Sequence, residues 1–266
     1  MRILALADLR GATERIPQVI DLVQREKIGA VVFAGNILGK HERVEAYEKA
    51  LAEGTPVQMD EAYLRTLEDQ AVKEFEAFFD EMGKLDVPVL VVPGYLDAPL
   101  RLYLQASLNH EVVEPNVDMI HRSFKPLTSW DLVFAGFGGA IADDTREDRY
   151  ALVYPAWEVL FGLDFLRSLL PKYTPVLIFA TPPRRGDIDL DGGKHIGHEV
   201  INDLIKTYAP AYAFVGGAPE GRGTVEIGST LVVNPGALRD GSYAIVDTKT
   251  GDVIFGQLPE PAMQTA

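Results

Sequence analysis

The sequence has 266 residues, of which 39 are Asp or Glu and 25 are Lys or Arg, so its formal net charge is −14. This charge argues against nucleic acid and against anionic membranes as partners. The absence of Cys excludes disulfides, thiolate nucleophiles and Cys-bound metal centres. No apolar run reaches the roughly 18 residues of a membrane span, and the start is too quickly charged for a signal peptide, so we expect a cytoplasmic protein.

Short runs of β-branched and aliphatic residues recur along the chain, and each ends at a small or polar residue. Their length and composition predict buried strands. Helical periods separate several of them, as in Ile16 to Val23 and in Val200 to Ile205. From Tyr212 onward the runs follow one another across Gly turns, which predicts hairpins added to a parallel sheet. The strands are predicted at Ile3 to Ala7, Val31 to Phe33, Val89 to Val92, Leu132 to Phe134, Val176 to Phe179, Tyr212 to Val215 and Leu231 to Val233.

Residues 41–86 differ from the rest of the chain because they hold 13 acidic and 5 basic residues, a net charge of −8. Apolar residues at spacings of three and four, from Leu64 to Met82, predict a helix with a stripe that must be buried. We interpret this segment as an acidic helical insertion that packs on the parent sheet; a protein partner or a second copy of the chain is the alternative. Residues 1–258 are predicted to form one layered α/β domain, and residues 259–266 a flexible tail.

The residues that follow each predicted strand are candidates for a site, because ligands of an open α/β sheet collect at the carboxyl ends of its strands. In order, these residues include Asp8 and Arg10, then Gly35 and Asn36, and then the segments PGYLDAP, PPRRG and GGAPEGRGTVEIGSTLVVNPGAL. The series resembles the motifs of the calcineurin-like metallophosphoesterases, which are Asp-x-His, Gly-Asp-x-x-Asp, Gly-Asn-His-Asp/Glu, His-x-Pro-Pro and Gly-His-x-His. The resemblance runs from about Met1 to Leu258 and implies a β-sandwich flanked by helices.

The resemblance also implies a hydrolase with two divalent cations, whose ligands are carboxylate, amide and imidazole groups. Carried over position by position, Asp8 is the usual metal ligand that remains, while Asn36 stands where the family has a bridging Asp. Arg10 replaces a His two residues after Asp8, and its permanent charge repels cations. A bacterial subgroup of the family has similarly substituted motifs, and this chain resembles it. The family's remaining Asn and His positions hold Tyr95, Leu96, Ala180, Gly217 and Pro219, and Asp97 keeps a position that is not normally a ligand.

These substitutions predict a metallophosphoesterase-like protein that has lost two-metal hydrolysis, needs no cofactor, and binds a ligand or a partner. Arg10 and backbone N–H groups suit an anion such as phosphate or a nucleotide. The alternatives are a residual phosphoesterase with Mn²⁺ or Mg²⁺ held by Asp8 and Asn36, and a closed salt-bridge network without a ligand. The pocket is predicted to contain Asp8, Arg10, Asn36, Tyr95, Asp97, Thr181, Arg184, Glu220 and Arg222.

A second motif, in the later part of the chain, has the spacing of a calcium-binding loop. Asp187, Asp189 and Asp191 match the first, third and fifth positions of an EF-hand loop, and Gly192 matches the sixth. The twelfth position is His198, which lacks the carboxylate that a calcium loop needs there. We therefore interpret the segment as a solvated acidic loop, with a calcium loop as the alternative.

Overall fold

Two six-stranded sheets form the centre of the molecule, which the computed structural model describes for residues 1–113, 115–142, 148–170 and 172–261. The strands are β1 (Arg2–Leu6), β2 (Ala30–Ala34), β3 (Val89–Val92), β4 (Val117–Met119), β5 (Ser123–Leu127), β6 (Leu132–Phe137), β7 (Ala140–Ile141), β8 (Val153–Tyr154), β9 (Thr174–Phe179), β10 (Leu190–Asp191), β11 (Lys194–His195), β12 (Tyr212–Val215), β13 (Gly223–Ile227), β14 (Thr230–Asn234), β15 (Ser242–Asp247) and β16 (Val253–Gln257). The helices are α1 (Ile16–Arg25), α2 (Glu42–Glu53), α3 (Glu61–Gly83), α4 (Leu100–Val113), α5 (Ala156–Gly162), α6 (Leu166–Leu169) and α7 (Glu199–Tyr208).

Sheet one has the strand order β16-β15-β1-β2-β3-β4, and sheet two has the order β13-β14-β12-β9-β6-β5. Strands β1 to β4 run parallel in sheet one, and β6, β9, β12 and β14 run parallel in sheet two. The pairs β1–β15, β15–β16, β5–β6 and β13–β14 are antiparallel. Apolar residues of both sheets pack together between them. Helices α1, α3 and α4 cover the outer face of sheet one, and α5 and α7 cover that of sheet two. The predicted layered β-sandwich flanked by helices is confirmed.

The acidic segment forms the two helices α2 and α3, and α3 packs against sheet one. Asp60 caps the start of α3, where its carboxylate accepts a hydrogen bond from the Tyr63 N–H at 2.9 Å. The ring of Phe78 meets Phe33 of β2 edge to face at 4.9 Å between centroids. The apolar stripe is therefore buried within this chain. Its residues are Leu64, Leu67, Ala71, Phe75, Phe78 and Met82.

The end of the domain contacts α1 at the point where the flexible tail is predicted to begin. The Pro259 carbonyl accepts hydrogen bonds from Arg15 Nη1 at 2.6 Å and from Gln18 Nε2 at 3.0 Å. Residues 262–266 of the predicted tail lie outside the described residues. In the described part of the chain, none of the helices combines the length and the apolarity that a membrane span requires.

Candidate functional site

The carboxyl ends of β1, β2 and β3 bring Asp8, Asn36 and the loop after Val92 to one edge of the sandwich. Asp8, Arg10 and Asn36 have φ values of 56°, 49° and 61°, in the left-handed region that non-glycine residues rarely adopt. Gly94 makes the approach of two strand ends possible, because a Cβ there would lie 2.1 Å from the Asn36 nitrogen. The backbone is therefore held in an unusual conformation at this edge, as is common at functional sites.

Asp8 lies at the centre of this edge, and both of its carboxylate oxygens already accept hydrogen bonds from the protein. Oδ1 accepts from Arg10 Nε at 3.0 Å and from Asn36 Nδ2 at 2.8 Å, and Oδ2 accepts from the Gly217 N–H at 2.9 Å. The side chain of Asp8 is only 1% exposed. Because Arg10 and two neutral N–H donors occupy both oxygens, the negative charge of Asp8 is compensated without a metal ion.

Asp97 is wholly buried and ties the second and third strand-end loops together. Its carboxylate accepts hydrogen bonds from the N–H groups of Gly94 at 2.6 Å, Leu38 at 2.9 Å and Ile37 at 3.2 Å. Burial raises the pKa of Asp97 to about 6, although these hydrogen bonds act in the opposite direction. Asp97 thus holds these loops together through its hydrogen bonds, and it does not line the cleft that lies over the strand ends.

Arg43 of α2 reaches the same loops from the helical insertion, and sequence reasoning did not identify it. Its side chain is fully buried, and Nη2 donates to the Leu96 carbonyl at 3.3 Å. Burial lowers the pKa of Arg43 to about 10, against the opposing effect of nearby carboxylates, the first of which is Asp97. The Leu96 N–H in turn donates to Asn36 Oδ1 at 3.0 Å. The insertion is thereby connected to the site residues through Leu96.

An open cleft of about 430 Å³ lies over these strand ends. One wall includes Tyr95, whose hydroxyl donates to Glu48 at 3.4 Å, and burial and Glu48 raise the pKa of Tyr95. Glu48 also pairs with Lys40 at 2.7 Å. The buried Thr181 donates through Oγ1 to the Gly139 carbonyl at 2.9 Å. The cleft is lined by Arg10, Asn36, Lys40, Glu48, Tyr95, Leu96, Ala140, Ile141, Ala180, Thr181, Asp191, Ile196, Gly217 and Arg239.

The structure brings together only part of the pocket predicted from the sequence. Arg10, Asn36, Tyr95 and Thr181 line the cleft, and Asp8 lies directly beneath it through its bonds to Arg10 and Asn36. Arg184 lines a separate depression beside α7, and Glu220 and Arg222 line another depression next to β13. Sequence reasoning missed Lys40 and Arg239, although they follow the strand-end residues Asn36 and Asn234 by four and five positions.

The three carboxylates of the acidic loop, for which a calcium loop was the alternative interpretation, have different surroundings. Asp189 is buried, and its carboxylate accepts from the Gly197 N–H at 3.0 Å and meets His195 Nδ1 at 2.8 Å. Asp191 lines the cleft, where burial raises its pKa against the effect of Arg10. Asp187 lines the depression next to β13. The described residues contain no group of three or more His, Asp or Glu side chains placed to hold a metal ion.

The profile of the family described as metallophosphoesterase, calcineurin superfamily, matches residues 1–258. The chain belongs to this superfamily. A solved crystal structure that is 31% identical covers 97% of this chain and 99% of its own, with a TM-score of 0.88. The protein TT1561 of Thermus thermophilus is 27% identical over 97% of this chain and 99% of its own, with a TM-score of 0.76. None of the curated proteins compared with the chain matches it.

More distant metallophosphoesterases share the fold. A dimetal phosphatase from Danio rerio is 10% identical over 97% of this chain and 99% of its own, with a TM-score of 0.62. Two adjacent divalent cations need several anionic or imidazole ligands that converge on one pocket. Here the carboxylate of Asp8 accepts hydrogen bonds from Arg10, Asn36 and Gly217. The guanidinium of Arg10 lies 3.0 Å from this carboxylate. This donor set does not fit a pair of divalent cations.

Proposed function

We propose that this metallophosphoesterase-like protein binds an anionic ligand in its cleft without hydrolysing it through a metal pair. The proposal rests on the hydrogen bonds of Asp8. Both of its carboxylate oxygens accept from protein donors, and Nε of Arg10 points at this carboxylate. Within the described part of the chain, Arg10 makes no other side-chain hydrogen bond, so its two terminal nitrogens are left for an anion. A guanidinium with two free NH₂ groups suits a phosphate group.

Two further cations support an anionic ligand. Lys40 and Arg239 line the same cleft as Arg10, and about half of each side chain is exposed. Both charges are partly compensated, because Lys40 pairs with Glu48 at 2.7 Å and Arg239 pairs with Asp240 at 3.3 Å. Phosphate and phosphate esters such as nucleotides are the ligands that this arrangement favours.

The proposal is tested by titrating the protein with inorganic phosphate and a panel of nucleotides, with binding heat and melting temperature as readouts. We expect the wild type to bind at least one of them, Arg10→Ala to lose that binding, and Arg184→Ala to retain it. Arg184 is a matched control because it lies in a separate depression. Equal binding by all three proteins, or binding by none of them, would refute the proposal.

A residual metal-dependent phosphoesterase remains the competing function, because the chain belongs to a superfamily of metal-dependent hydrolases. It predicts that Mn²⁺ or Mg²⁺ stays bound to the wild type after equilibrium dialysis, measured by elemental analysis, and is lost in Asp8→Ala. The proposed function predicts the same metal content, near zero, in the wild type and in Asp8→Ala. Phosphodiester hydrolysis that needs metal and Asp8 would replace our proposal with the competing one.

A further inference from the structure

Helix α5 lies on the surface of the domain, but its large apolar side chains face outward and a charged one faces inward. Glu158 and Val159 face inward and are buried, whereas Trp157, Leu160 and Phe161 are 64%, 46% and 79% exposed. A surface helix normally turns its apolar side to the core and its charged side to water. The outward face of α5 therefore resembles the inward face of an ordinary helix.

The orientation of α5 is fixed by contacts beneath it. Glu158 forms an ion pair with Arg122 at 2.8 Å, and the guanidinium of Arg122 lies over the rings of Phe137 and Tyr154 at 5.1 and 4.8 Å. Gly162 allows the end of the helix to approach the sheet, because a Cβ there would lie 2.9 Å from Phe137. A rotation that buried Trp157 would break this ion pair and expose Val159, so the core itself holds the apolar residues outward.

The apolar surface extends beyond α5. Phe165 follows the helix, and its ring lies 5.3 Å from that of Phe124 on β5, which is 42% exposed. We call these five residues the α5 patch, and they are Phe124, Trp157, Leu160, Phe161 and Phe165. At about 150–250 Å² per aromatic side chain, the patch exposes roughly 500 Å² of apolar surface. This is near the upper end of what monomeric proteins expose, which indicates an interface.

We propose that the α5 patch binds a second copy of this chain in a symmetric dimer. A standard interface buries about 800 Å² per partner and is about 65% apolar in homodimers, so a patch of roughly 500 Å² matches the expected apolar share. If two copies of α5 pack antiparallel about a two-fold axis, Trp157 meets Phe161 of the partner subunit, and Leu160 lies near the axis.

The distribution of charge favours a second copy at this face. The described segments that carry the α5 patch, residues 121–131 and 150–170, hold 3 basic and 3 acidic residues, whereas the whole chain has a net charge of −14. The large insertion helix α3 holds 7 acidic and 2 basic residues and packs on sheet one, whereas α5 packs on sheet two. Two copies joined through α5 thus keep their acidic α3 helices apart, which limits like-charge repulsion.

Sedimentation velocity of the whole protein over a hundredfold range of concentration tests this dimer. We expect a wild-type dimer of twice 29.2 kDa, and a melting temperature that rises with protein concentration. Phe161→Glu and Trp157→Ser should each raise the dissociation constant by about 10³-fold, because a symmetric interface loses the residue twice. Both residues are mostly exposed in the monomer, so circular dichroism should show that the variants remain folded.

Ile254→Glu is the matched control, because Ile254 is 51% exposed on β16 at the edge of sheet one, and the dimer should persist in it. A wild type that stays monomeric at every concentration overturns the proposal. So does a dimer that survives both α5 substitutions, which would place the interface elsewhere. Monomeric wild type that sediments with phosphatidylcholine vesicles would assign the patch to a lipid surface and likewise overturn the proposal.

Discussion

Protonation of His121 is expected to destabilise the folded protein as the pH falls. His121 is buried against the rings of Phe137 and Tyr154, at 4.8 and 5.5 Å between centroids, and its Nδ1 accepts a hydrogen bond from the Gly138 N–H at 2.9 Å. Burial, with a smaller contribution from the neighbouring Arg122, lowers the pKa of His121 from 6.5 to about 3. The folded state therefore excludes a proton that the unfolded state binds.

The sign and size of the effect follow from this difference in pKa. Above about pH 6.5 His121 is neutral in both states and has no pH-dependent effect on the free energy of unfolding. As the pH falls, only the unfolded state gains the proton on this group, so the contribution of His121 to the free energy of unfolding decreases by about 2 kcal/mol at about pH 5 and by about 4 kcal/mol near pH 3, at 1.36 kcal/mol per pKa unit.

Urea unfolding of the wild type and of His121→Asn, at a series of pH values, measures this contribution. Asn keeps an acceptor near the Gly138 N–H but cannot titrate, so the variant should start less stable and lose less stability in acid. Phe137→Leu is the control, because it alters the same ring cluster without removing a titrating group. If the difference between wild type and His121→Asn is the same at about pH 7.5 and about pH 5, our account of His121 is wrong.

Three further predictions concern the packing that supports the site, and urea unfolding measures each of them. Gly94→Ala should lower the free energy of unfolding by about 3 kcal/mol, since its Cβ would lie 2.1 Å from the Asn36 nitrogen. Gly39→Ala, with its nearest contact at 3.6 Å, is the control and should cost far less. Asp97→Ala should cost about 3 kcal/mol near neutral pH, because three buried N–H groups lose their acceptor. Phe78→Ala should cost about 3–5 kcal/mol, because this fully buried ring joins α3 to sheet one.

Different results would contradict each argument. Equal stability of Gly94→Ala and Gly39→Ala would show that the two strand ends are not in close contact. An Asp97→Ala variant as stable as the wild type would mean that water satisfies the three N–H groups. A cost below about 1 kcal/mol for Phe78→Ala would indicate that α3 contributes little to the core.

The sequence was sufficient to predict seven of the twelve strands of the two sheets, because these runs are almost wholly buried and apolar. The run at Val89 to Val92 coincides with β3, and the runs near Ile3 and Val31 differ from β1 and β2 by one residue at each end. Helix α4 was not predicted, and its buried positions explain why. Two of them are Ser107 and His110, whose polar side chains interrupt the apolar period that sequence reasoning relies on.

Sequence reasoning identified the site residues that directly follow a strand. It did not identify those that lie further along the loops or on helix α2. Asp8 and Asn36 meet because β1 and β2 are parallel neighbours, which their sequence order suggests. Arg184 was expected at the same cleft, but the loop after β9 carries it toward α7. Arg43 could not be predicted, since nothing in an acidic helix marks the one arginine that turns into the core.

The strand order of sheet one affects how the chain can fold while it is being synthesised. Strand β1 lies between β2 and β15, and the N-terminal amine donates to Thr248 Oγ1, 247 positions along the chain. One edge of β1 therefore has no partner until the ribosome has made residues 242–247, and such long-range pairings form slowly. During that interval an apolar strand edge is open to other chains, so we expect the nascent protein to depend on chaperones and to aggregate when its last hairpin is removed.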